Sequence, residues 1–72
     1  MKFIYFTKVI SGERCAYPKS EVVAFEDSEI ETEEGKKTVK HKCVIIYLGS
    51  KANWIKVSED FETILEIMNE DN

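Results

Sequence analysis

Large apolar residues alternate with polar ones along much of this chain, and the alternation divides it into about five strands and one helix. Phe3-Ile4-Tyr5-Phe6-Thr7-Lys8-Val9-Ile10 is dense in aromatic and β-branched residues and reads as a strand. Ser11-Gly12-Glu13 supplies a turn, with Gly12 free to take a positive φ. Arg14-Cys15-Ala16-Tyr17 returns as a second strand, which Pro18 ends or confines to an edge because it donates nothing to a ladder. Glu21-Val22-Val23-Ala24-Phe25 is a third strand and Cys43-Val44-Ile45-Ile46-Tyr47-Leu48 a fourth. After a turn over residues 49–53, Trp54-Ile55-Lys56-Val57 is the fifth, with Ile55 and Val57 inward and Trp54 and Lys56 on the opposite face.

The pattern then changes period. Phe61, Ile64, Leu65 and Met68 recur at i, i+3, i+4 and i+7, the stripe of a helix lying on a core. Ser58 is placed to cap it, with Glu59, Asp60 and Glu62 in the first turn, where the helix dipole favours anions. The expected helix spans residues 59–70. The fold class is therefore α+β, a small antiparallel sheet of about five strands with one C-terminal helix packed on it.

Between the third and fourth strands, residues 26–42 break the alternation with charge. Glu26, Asp27, Glu29, Glu31, Glu33 and Glu34 precede Gly35, and Lys36, Lys37, Lys40, His41 and Lys42 follow it. A two-residue turn at Glu34-Gly35 would pair Glu33 with Lys36, Glu29 with Lys40, Asp27 with Lys42, Phe25 with Val44 and Val23 with Ile46. Opposite charges then share one face while Ile30 meets Val39 on the other, so the reading is a long charged β-hairpin. A disordered loop is the rival reading, since Glu at a turn position dislikes positive φ.

Composition narrows the class of protein. The 72 residues make one domain (1–72), near the lower size limit for folding without covalent or metal staples. Two cysteines, Cys15 and Cys43, allow at most one bridge; with no apolar leader after Met1, a cytoplasmic protein with reduced, buried thiols is expected. No apolar run approaches the ~20 residues of a membrane span. The net charge of −4 hides segregation: residues 1–25 carry +2, 26–34 carry −6, 35–56 carry +6 and 57–72 carry −6. An acidic total disfavours non-specific nucleic-acid binding, which depends on neutralising phosphates.

The order of strand, glycine turn and strand, then "Ser-Glu-Val-Val-Ala-Phe-Glu", a further strand and "Trp-Ile-Lys-Val-Ser-Glu-Asp-Phe-Glu-Thr-Ile-Leu", resembles the small FlbD family of flagellar and swarming-motility proteins. More distantly it is similar to the LytTR-type β-rich DNA-binding domain, which also ends in a helix of this kind. The resemblance implies a transcriptional regulator that reads DNA through Lys36, Lys37, Lys40 and Lys42.

Candidate chemistry is sparse. His41 is the single histidine, with Cys43 two positions away, but no Cys-x-x-Cys or His-x-x-x-His spacing accompanies it. A solvated His41 paired across the hairpin is the simpler reading. The glycines at 12, 35 and 49 are isolated and form no phosphate loop. Neither catalytic residues nor a metal or cofactor are expected. Trp54, Tyr47 and Tyr17 either anchor a partner or stack bases, or else Trp54 merely caps the sheet beside Lys56. The candidate partner-binding set is Glu29, Glu31, Glu33, Glu34, Trp54, Lys56, Glu59, Glu62 and Glu66. The leading expectation is a small, non-enzymatic protein-interaction module of bacterial or phage origin, including an inhibitor that offers carboxylates to a basic partner. Exposed strand edges also permit a homodimer.

Overall fold

A computed structural model of the chain describes residues 2–70, at residues 50–52 for the backbone alone. The elements are β1 (Phe3–Thr7), β2 (Arg14–Pro18), a single 3₁₀ turn (Lys19–Glu21), β3 (Val22–Glu34), β4 (Lys37–Leu48), β5 (Ser50–Val57) and α1 (Phe61–Asn69). The class is α+β, with two antiparallel sheets, β1-β2 and β3-β4-β5.

Period-2 alternation sets which residues are buried. In β1, Ile4 and Phe6 are buried while Phe3 and Tyr5 face solvent. Val22, Val44, Ile46, Leu48 and Val57 join them from the three-stranded sheet, and Ile64 closes the core from α1. Phe25 and Phe61 stack as tilted rings 5.0 Å apart, joining β3 to the start of the helix. Such a pair contributes ~0.5–1.5 kcal/mol beyond its buried area. The helix covers one face of the sheet, here called the inner face. By alternation along β4 and β5, Ile45, Tyr47, Trp54 and Lys56 lie on the outer face, where no helix packs among the described residues.

The two sheets are joined where β1 ends. Lys8 bridges Val57, the Val9 amide donates to the Lys56 carbonyl at 3.1 Å, and the Ser58 amide donates to the Thr7 carbonyl at 2.9 Å. This junction explains why the helix begins later than its pattern suggests. Ser58 does not cap it, because its backbone is occupied by β1, and the Glu59 carboxylate accepts from the Thr7 amide at 2.8 Å. Asp60 takes the cap instead, accepting from the Thr63 amide at 2.8 Å, so the helix runs from Phe61 to Asn69 rather than over 59–70. The packed stripe also differs: Ile67 lies against the core beside Phe61 and Met68, whereas Leu65 is 37% exposed.

From Ala24 onward, β3 pairs with β4 without interruption out to a turn at Gly35-Lys36. Gly35 takes φ +66° and Lys36 does not adopt a positive φ, the arrangement of a II′ hairpin turn. A turn at Glu34-Gly35 would require Glu34 in the left-handed region, so the turn moves one residue on. Each β3 residue accordingly meets a β4 residue two places later than expected. Glu29 faces Lys42, Glu31 faces Lys40, Glu34 faces Lys37, Glu33 faces Thr38, Asp27 faces Val44 and Phe25 faces Ile46. Val23, expected opposite Ile46, falls at a β-bulge and is exposed, while Ile30 faces His41 and not Val39. A shift of two leaves every side chain on its original face. β5 follows β4 after Gly49 alone, so residues expected in a wide turn extend the strand back to Ser50.

Candidate functional site

Three apolar side chains distant in sequence converge beside the junction of the two sheets. Ile10 lies in the turn after β1 and is 81% exposed, Trp54 on β5 is 53% exposed, and Ile30 projects half-buried from β3. With Val9, Ile55, Ser11, Lys8 and Lys56 they line a groove of about 400 Å³. The turn that presents Ile10 is held by the Lys8 amide donating to the Glu13 carbonyl at 2.8 Å and the Gly12 amide donating to the Lys8 carbonyl at 2.9 Å. Gly12 has φ +73°, which lets this turn close tightly. Ile10, expected in the first strand, therefore leaves the sheet and forms one wall of the groove.

Lys56 ties the opposite wall together. Its Nζ donates to the Glu29 carbonyl at 3.1 Å and lies 6.0 Å from the centre of the Trp54 ring. The ammonium is thus held between β5 and the hairpin by a neutral carbonyl and an aromatic face, and two of its three N–H donors remain for a ligand. Lys8 and Lys56 are the two charged residues of the lining, which contains no carboxylate.

The expected acidic set does not gather in one place. Glu29, Glu31 and Glu33 share one face of the hairpin and Glu34 the other, by alternation along β3. Glu62 and Glu66 are exposed on α1, and Glu59 is engaged with the Thr7 amide. The lysines divide likewise. Lys40 and Lys42 lie on one face, directly opposite Glu31 and Glu29; Lys37 lies on the other, opposite Glu34; Lys36 is in the turn. Among the described residues the one ion pair within 4.0 Å is Lys2–Glu70, at 3.0 Å, so the hairpin charges face each other without closed bridges. Each such cross-strand pair is worth ~0.2–1 kcal/mol and weakens with salt.

His41 is exposed and its Nε2 lies 2.9 Å from the Thr32 hydroxyl across the hairpin. Cys43 is buried; Cys15 is half-buried, its thiol directed at the Phe6 carbonyl at 3.6 Å; both are free. No cluster of three His, Cys, Asp or Glu suited to a metal ion occurs among the described residues. One carboxyl is displaced from its ordinary value. Asp60 titrates lower because the Thr63 hydroxyl, and secondarily the Thr63 amide, donate to its ionised form.

Sequence reasoning placed Trp54 and Lys56 among the candidates but missed Ile10 and Ile30. Ile30 stands alone as a large apolar residue within an acidic run, which was the available signal. Comparison of the chain with protein-family models, curated proteins and solved structures found no match to any of them.

Proposed function

We propose that this chain is a small non-enzymatic protein-interaction module whose contact centre is the groove formed by Ile10, Ile30 and Trp54. The observation that carries this reading is the convergence of three large apolar side chains, from β3, β5 and the turn after β1, on a surface that no other element covers among the described residues. Exposed apolar surface rimmed by polar groups is the usual mark of a protein contact. A partly exposed tryptophan beside a pinned cation is also the composition of an interface anchor.

The hairpin fits the module as a projecting arm rather than as its centre. Its lysines are distributed over two faces, and three of them have a glutamate directly opposite. That arrangement lends less support to a DNA reader of the FlbD or LytTR kind than a continuous basic face would.

The test is affinity capture with the full chain in three forms. Replacing Ile10→Glu together with Trp54→Ala should abolish capture. Reversing the arm with Glu29, Glu31, Glu33 and Glu34 changed to Lys should leave the principal partner bound. A groove variant that captures the same partner as the parent chain removes the groove from the argument. Duplex DNA bound at low salt, with affinity falling steeply as salt rises, would favour the regulator instead.

A further inference from the structure

We infer that the occupant of the groove is an acidic-apolar protein segment, one that offers large apolar side chains flanked by carboxylates. This inference rests on the groove being a docking site and adds the chemistry of its partner. The groove is a cationic place on an acidic molecule. The chain carries −4 overall, yet the lining holds Lys8 and Lys56 and no acid. The apolar floor of Val9, Ile10, Ile30 and Trp54 selects side chains of the leucine or phenylalanine type, because burying them removes apolar surface from water on both partners.

Charge then decides between classes of apolar segment. Lys56 is already held by the Glu29 carbonyl and lies over Trp54, so little side-chain freedom remains to be lost when a carboxylate meets its free donors. A basic segment would place like charges against Lys8 and Lys56 at the moment the floor is desolvated, which opposes docking. The surrounding surface works in the same direction. The acidic helix, with Glu62 and Glu66 exposed, and the acidic strand of the arm repel an acidic partner, so charge favours an approach to the groove over an approach to either of them.

The chain supplies its own reporter, because Trp54 is its single tryptophan. The probes are three synthetic peptides of identical Leu and Phe spacing, with Glu, Gln or Lys at every other position. Titration of the intact protein should give a blue shift of Trp54 emission with the Glu peptide, and affinity about tenfold or more below it for the Lys peptide. The Glu advantage should shrink as salt rises. Lys8→Gln, a surface change that leaves the floor intact, should narrow the gap between Glu and Lys peptides. Equal affinity for the Glu and Gln peptides, or a preference for Lys, overturns the acidic-partner inference while leaving the groove as a docking site. The absence of any blue shift with all three overturns the inference too, and the capture experiment then judges the interaction reading independently.

Discussion

Lys56 is the place where the arm, β5 and the groove meet, and Lys56→Met isolates its contribution. The substitution keeps an unbranched apolar stem and removes only the ammonium. Two interactions are lost. One is the hydrogen bond to the Glu29 carbonyl at 3.1 Å, toward the long end of the range for N–H···O. A bond from a charged donor is worth ~1.5–3 kcal/mol when shielded, and its partly solvated position here brings it to about 1 kcal/mol. The other is the contact with Trp54 at 6.0 Å, the outer limit for a cation over a ring, worth ~0.5 kcal/mol at an exposed site. Together they predict that the arm opens more easily by ~1–2 kcal/mol, a factor of about 5–30 in amide exchange of residues on either side of Glu29 and Lys42. The core does not include Lys56, so the global urea midpoint should barely move. Native-state hydrogen exchange by NMR, with urea denaturation alongside, reads both quantities. Unchanged exchange at Ile30 and His41, or a loss of global stability as large as the local one, would refute the assignment of Lys56 as a local tie.

Ile64→Ala empties a fully buried position on α1 and should cost ~2–5 kcal/mol, most of the ~3–5 kcal/mol that a chain this size commands; Leu65→Ala, at an exposed position, should cost under ~1 kcal/mol by urea denaturation. Gly35→Val forces a β-branched residue to φ +66° with no atom within 4 Å of its Cβ, so the entire cost of ~1–2 kcal/mol is backbone strain. It should appear as faster amide exchange confined to the arm tip, whereas Gly35→Asn should be milder. The Asp60 carboxyl titrates lower in the folded protein, so its cap is fully effective above the ordinary value of 3.8 and weakens as pH falls below that through the folded value. Helical circular dichroism on acidification should therefore change more in the parent than in Asp60→Asn, whose cap does not titrate; superimposable profiles would contradict this.

The elements were legible because alternation and the 3.6-residue period survive in the residues that face the core. Ile4 and Phe6 against Phe3 and Tyr5 show it for β1, and Phe61, Ile64 and Met68 for α1. What escaped was decided by contacts distant in sequence or by a single dihedral. The hairpin register depends on which of two neighbouring residues takes the positive φ, and glycine wins over glutamate at no change in face pattern. The helix start depends on β1, some fifty residues earlier, occupying Ser58 and Glu59. No local pattern carries that information. The groove was legible only as remainders: Ile30 among acids and Trp54 on the face away from Val57. Their meeting with Ile10 requires the closure of the turn at Gly12, which appears only in three dimensions.

The ends of the described chain are clasped. Lys2 pairs with the Glu70 carboxylate at 3.0 Å, and the Lys19 ammonium reaches the Glu70 carbonyl at 2.6 Å. Any polypeptide joined before residue 2 or after residue 70 therefore departs from one pole of the molecule. That pole is at the Phe3 end of β1, whereas the groove is built at the Lys8 end, roughly 17 Å away along a five-residue strand. A fusion or a surface tether at either end thus acts as a handle that leaves the groove turned outward, and the domain can be displayed or immobilised without choosing between its ends.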